Sequence, residues 1–216
     1  KTGRLILAGA LIAFMTASVA MAGMAVFLKD GSMINVPVNR DDIIGISFEE
    51  GTPGKAVGAV SWDFEGGTLK GWSATGTAFG TQPTYSDNPT ARHRGQPSRH
   101  QGNYWVGGYE NRHTPSDPAG RVQGDGPQGT LTSGPFTISG NAISFLIGGG
   151  CDINSERAEL VVDGQVVRKS TGKCTETMQR ARWDVSEFQG RSARIRLVDT
   201  SSGGWGHINF DDVRFE

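Results

Sequence analysis

The chain has no excess of either charge: 21 Lys and Arg stand against 22 Asp and Glu in 216 residues, a formal net charge of -1. Such a balance offers no electrostatic footprint to a polyanion, so nucleic acid and anionic membrane surfaces are not expected as partners. Cysteine is almost absent, with Cys151 and Cys174 the only two. Two thiols without nearby His make a poor zinc site, and no third thiol is left over to act as a nucleophile. No Gly-x-Ser-x-Gly elbow occurs to expose a serine nucleophile. The adjacent carboxylates Asp211 and Asp212 would point to opposite faces of a strand and could not flank one scissile bond. No catalytic residue is therefore expected. Amphipathic helical periodicity is missing too, which turns attention to strands.

What the chain does have is glycine, 32 residues of it, together with short alternating runs. That combination favours an all-β fold. The N-terminus sets Lys1 and Arg4 ahead of the apolar run LILAGALIAFMTASVAMA, Leu5 to Ala22, with small residues at Ala20 and Ala22. The pattern is that of a cleavable secretory signal over residues 1–22, and it implies a secreted or periplasmic protein with no membrane attachment once the signal is removed, the alternative being a transmembrane anchor that Gly9, Thr16 and Ser18 interrupt. Loss of Lys1 and Arg4 leaves 19 basic against 22 acidic residues. An exported chain meets oxidising conditions, and Cys151 and Cys174 bracket a predicted hairpin that brings its ends together. A Cys151–Cys174 disulfide is expected, worth about 3 kcal/mol for a loop of this size.

Residues 23–50 read as a small β-meander, with Asp30-Gly31 suited to a type I′ turn and DDIIGISFEE as its third strand. The stretch GTPGKAVGAV, 51–60, reads as a linker. From 61 to 216 come eight or nine strand candidates: SWDFE, GWSATGTAF, NYWVGGYE, GTLTSGPFTI, AISFLIG, AELVVDGQVVRKS, QRARWDVSEF, ARIRLVD and HINFDDVRFE. Alternation is clearest at Arg194-Ile195-Arg196-Leu197, where Ile195 and Leu197 should face the core. Strands at this spacing predict a jelly-roll β-sandwich. Trp62, Phe64, Trp72, Phe145 and Phe210, on alternating positions, are expected in its core. The segment from Thr81 to Arg121, rich in Pro, Gly, Arg, His and Asn, reads as long polar loops, where binding sites commonly lie.

Within 61–215, the runs ISFLIGGG, WDVS and above all GGWGHIN resemble the noncatalytic β-sandwich module appended to bacterial levanases and other fructan-cleaving enzymes of glycoside hydrolase family 32. The catalytic part of those enzymes has no counterpart here, since no Asn-Asp-Pro segment occurs. More distantly, the opening WDFEGGTLKGW and the closing FDDV are similar to MAM adhesion domains and jelly-roll carbohydrate-binding modules. The resemblance implies an exported bacterial module that binds a polysaccharide or other glycan, fructan-like ones first, beside a separate hydrolase or surface protein. An adhesion or assembly module that binds another protein is the alternative.

Ring faces for stacking on a sugar are expected from Trp105, Tyr109 and Trp205, at Gly-rich junctions, with hydroxyl-binding groups from Glu110, Arg112, His93 and Arg94. His207 in GGWGHIN is either a ligand-binding group or a structural one that pins the last turn. The similar folds often share a structural cation between their terminal strands. Asp63, Glu65 and Asp211 offer the oxygen ligands that Ca²⁺ requires, the other reading being that Asp63 and Glu65 point into solvent.

Overall fold

The computed structural model describes residues 60–216 throughout, and ahead of them the backbone of two strands, β1 (Met24–Phe27) and β2 (Met33–Val36). The chain divides into two compact units, Lys1–Pro53 and Gly54–Glu216. In the first, β1 and β2 form an antiparallel hairpin that pairs Met24 with Val36 and Phe27 with Met33. The expected third strand of the meander and the signal segment lie outside the described residues.

The second unit is a jelly-roll β-sandwich of two antiparallel sheets. Its strands are β3 (Trp72–Gly76), β4 (Thr84–Tyr85), β5 (Tyr104–Gly107), β6 (Gly129–Ser133), β7 (Phe136–Thr137), β8 (Ala142–Gly149), β9 (Glu156–Val162), β10 (Gln165–Ser170), β11 (Thr175–Asp184), β12 (Ser192–Asp199) and β13 (Ile208–Phe215). One sheet runs β10-β9-β12-β6-β3, with β7 also on β12, and the other runs β11-β8-β13-β5-β4. Among the described residues a 3-10 turn at Ser186–Phe188 and one short α-helix, α1 (Asn88–Ala91), interrupt the loops. Asp87 caps it by accepting from the Thr90 amide, and Pro89 sits in its first turn where no amide donor is needed.

Alternation places the core. On β12, Ala193, Ile195 and Leu197 are buried while Arg194 is exposed, as the pattern predicts. Ala158, Leu160 and Val162 of β9 line the same side. From the other sheet come Phe145 and Phe210, their rings 5.1 Å apart, with Trp183 edge-on to Phe145 at 4.5 Å. Phe64 and Trp72 complete this cluster, and half-buried Trp62 packs at its rim against Phe136 and Phe215.

The segment Trp62 to Glu65 is not the strand that its composition suggests. Phe64 adopts φ 56° and Gly67 φ 64°, and the chain turns there with the Gly67 amide donating to the Phe64 carbonyl. The turn is tied to the last strand by the Val213 amide, which donates to Trp62 O at 3.0 Å. The disulfide forms as expected between Cys151 and Cys174, Cα atoms 5.0 Å apart, across the base of the β9–β10 hairpin.

Candidate functional site

Pairing in the second sheet assembles a cleft at one end of the sandwich. Ile208 opposite Gly149 and Asn209 opposite Gly107 bring three chain ends together: the turn before β13, the turn after β5 and the start of β11. Glycine is required at the crossing. A Cβ on Gly149, at φ 79°, would lie 2.6 Å from the His207 carbonyl. The resulting cleft, about 220 Å³, is lined by Arg92, Arg94, Tyr109, Asp125, Glu176, Trp205 and His207, with Gly204 at its edge.

Its floor is a chain of alternating charges. Buried Glu110 receives Arg92 Nη2 at 2.9 Å, and the same nitrogen donates to Glu176 Oε1 at 2.5 Å. Asn88 Nδ2 donates to the other Glu110 oxygen at 2.6 Å. Glu176 Oε2 lies 3.4 Å from His207 Nε2, an ion-pair contact too poorly aligned for a hydrogen bond, and takes a donation from Asn209 Nδ2 at 3.1 Å. His207 Nδ1 meets Asp125 Oδ1 at 2.7 Å. Burial opposes a charge on His207, but the hydrogen bond to Asp125 and the negative charges of Asp125 and Glu176 on either side prevail and lift it to about 9. Burial would likewise raise Glu176, yet His207, Asn209 and Arg92 hold it down at about 2. The imidazolium and the Glu176 carboxylate are thus both charged near neutral pH.

Above this floor stand two half-buried rings. Arg92 lies over the Tyr109 ring at 4.5 Å and exposed Arg94 over Trp205 at 5.2 Å. Both rings approach His207, at centroid distances of 5.3 and 5.6 Å. Trp205 sits at φ 65°, a conformation costly for a bulky L-residue, and the glycines around it in Gly203-Gly204-Trp205-Gly206 give the backbone room for it. Strain of this kind concentrates where a side chain must be presented in one direction.

Of the residues singled out in the sequence, Tyr109, Arg94, Trp205 and His207 line the cleft. Glu110 underlies it as a buried partner of Arg92 rather than as an open hydrogen-bonding group. Trp105 corrects the expectation of an exposed ring. It is fully buried, stacked on His100 at 5.8 Å, and its indole N–H donates to Ser86 O at 2.9 Å, because the loop after α1 folds over the outer side of β5. Arg112 lies outside the cleft, its guanidinium over Tyr85 at 5.3 Å, and exposed His93 does not line it either. Arg92, Asp125 and Glu176 were not legible as site residues. Arg92 stood inside the polar loop segment, and Glu176 two positions past a disulfide cysteine was the available signal.

The three carboxylates expected to share Ca²⁺ do not converge. No group of three or more His, Cys, Asp or Glu among the described residues is arranged to hold a metal ion. Exposed Asp63 caps its own turn, accepting from the Glu65 amide at 3.2 Å. Glu65 accepts from the Asn103 and Tyr104 amides at 2.8 Å. Asp211 is fully buried and accepts from Gln101 N and Asp212 N, each at 2.7 Å. The backbone of residues 101–104 thus supplies amide donors to Glu65 and Asp211. Burial, with the charges of Asp212 and Glu65 nearby, pushes Asp211 up to about 8.

No protein-family model matches the chain. A curated protein of Aspergillus rugulosus, "Putative glycosyl hydrolase ecdE", is 36% identical over 161 residues, which are 73% of this chain and 21% of that protein. The chain therefore spans about a fifth of the length of this relative. Among solved structures, the carbohydrate-binding module TmCBM61, in complex with β-1,4-galactotriose, is 16% identical over 72% of this chain and 95% of its own, with a TM-score of 0.42. The K1 cleaved adhesin domain of Lys-gingipain from Porphyromonas gingivalis is 14% identical over 70% of this chain and 93% of its own, with a TM-score of 0.40. CBM35 from Cellvibrio japonicus Abf62 is 18% identical over 65% of this chain and 91% of its own, with a TM-score of 0.27.

Proposed function

We propose that the sandwich is a noncatalytic carbohydrate-binding module and that the cleft between Tyr109 and Trp205 is its glycan site. The observation that carries the reading is the pair of arginine-backed rings flanking a floor of fixed charges. Aromatic faces suit the C–H surface of a sugar ring, and charged groups in fixed orientations suit its hydroxyls. The floor is poorly suited to acid–base catalysis. Glu176 keeps its carboxylate and His207 its proton across the neutral range, so neither is poised to exchange a proton there.

The relative named as a glycosyl hydrolase favours a sugar-associated role, and the short share of it that this chain spans is what an appended module would give. In the finer reading, the glycan is a fructan such as levan or inulin, and the module belongs to an exported bacterial protein working beside a hydrolase. The disulfide agrees with an oxidising compartment.

Affinity electrophoresis of the sandwich unit through gels containing levan, inulin, β-1,4-galactan or arabinoxylan tests this. One glycan should retard the protein, and Trp205→Ala and Tyr109→Ala should each weaken retardation at least about tenfold while the far-ultraviolet spectrum is retained. A folded protein that no glycan retards, or variants that bind as the parent does, would overturn the reading.

A further inference from the structure

Beside the cleft, the sandwich contains a second group of charges that the glycan reading does not use. Glu156 opens β9 and Asp199 closes β12, and the register sets them directly opposite each other. Alternation puts both on the core side of the sheet, in line with Ala158 and Leu160 on one strand and Leu197 and Ile195 on the other. Like charges in such a cross-strand pair repel, and both are buried, Glu156 at 3% and Asp199 at 1% exposure. Neither forms a salt bridge, although the charge of His207 acts on both from a distance. Both Asp199 oxygens and Glu156 Oε1 lack any hydrogen-bond partner, the nearby Ser201 amide lying outside hydrogen-bonding geometry. Elsewhere in this acidic region both Asp152 oxygens are taken by Asn154 and Ser155, and Asp125 Oδ1 by His207.

Backbone oxygens crowd the same end. The Trp205 carbonyl oxygen and Glu156 Cγ lie 2.4 and 2.8 Å from one point, the place where a Cβ on Gly150 would be. In the turn after Asp199, the carbonyl oxygens of Ser201 and Gly203 lie 2.6 and 2.7 Å from the place of a Cβ on Gly206, that of Gly203 also accepting the Gly206 amide. These carbonyls belong to the turn that follows Asp199, so carboxylate and peptide oxygens come from one short stretch of chain.

We propose that Glu156 and Asp199 are the paired carboxylate ligands of a Ca²⁺ ion at the end of the β9–β12 ladder, with backbone carbonyls of the Ser201–Gly206 turn completing the oxygen shell. Calcium takes six to eight oxygens in irregular geometry, with carboxylates, carbonyls and water mixed, whereas Mg²⁺ demands an octahedron that a strand end and a turn do not form. The ion would offset two buried negative charges and fix the turn that carries Trp205. The site differs from the Asp63, Glu65 and Asp211 set in residues and in place, and it stands whether or not the cleft binds a glycan.

The experiment is thermal unfolding of EDTA-treated protein at pH 8, titrated with CaCl2 or MgCl2, with terbium luminescence excited through tryptophan as a second readout. The midpoint should rise with Ca²⁺ at concentrations where Mg²⁺ has little effect. Asp199→Asn and Glu156→Gln should each abolish the rise and the terbium signal, yet unfold no lower than the metal-free parent because the repulsion is gone. Asp211→Asn should keep both responses. No calcium response in the parent, a response unchanged in the Asp199 and Glu156 variants, or one lost in Asp211→Asn would each overturn the proposal. A midpoint that rises only on acidification would do so too, since the pair would then be sharing a proton.

Discussion

Single residues set the pH behaviour of this sandwich. His207, lifted to about 9 from an ordinary 6.5, adds stability that is complete below about pH 6.5 and is lost as the pH climbs through 9. Glu176, held at about 2 against 4.5, adds stability that is complete above about pH 4.5 and is lost as the pH falls through 2. The pair therefore contributes most between these limits. Asp211 acts in the opposite sense to Glu176. Raised from 3.8 to about 8, it holds its proton more tightly in the folded protein, so its ionisation costs stability progressively across that interval. Urea denaturation followed from pH 4 to 9 should show the protein weaker at pH 9 than at pH 6, with Asp211→Asn flattening the decline between pH 4 and 8 and His207→Gln removing the part above 6.5. An Asp211→Asn protein with the parental pH profile would contradict the assignment. Tyr109, Arg94, Trp205 and His207 could be picked from the sequence because each stands near a Gly-rich junction or in the polar loops. Arg92, Asp125 and Glu176 could not, since their importance arises from a charge chain between segments far apart in sequence.

At the scale of elements, the β9–β10 hairpin is closed at its base by Cys151–Cys174, and Thr175 and Glu176 follow at once on β11. Reduction should cost about 3 kcal/mol in a denaturant titration. It should also loosen Glu176 from His207, so that reduced protein shows a His207 proton resonance titrating below its position in the oxidised form. Strands with clean alternation were legible, β12 above all. β5 was legible as a strand too, within NYWVGGYE, but the burial of its tryptophan was not: Trp105 is hidden by the loops that bring Ser86 and His100 over it, and sequence alone does not announce that cover. The segment around Asp63 failed for another reason. Aromatic and acidic residues in alternation look like a strand, but the backbone reverses at Phe64 and Gly67, where Asp63 caps its own turn and Glu65 accepts the Asn103 and Tyr104 amides.

At the scale of the molecule, the all-β character and the two-sheet sandwich followed from glycine-punctuated short runs, because that pattern leaves few ways to bury alternate faces. Stability at this scale rests on the shared core, and Leu160→Ala, which empties a fully buried site between the sheets, should cost about 2–5 kcal/mol by urea titration with cooperativity preserved. The pairing order has a temporal meaning as well. β13, the most C-terminal described strand, lies between β8 and β5 in the middle of its sheet. Until a ribosome has released residues 208–215, those two neighbours present open edges and the second sheet has no centre. Closure of this sheet therefore waits for β13, and the nascent sandwich remains threadable until that strand has emerged.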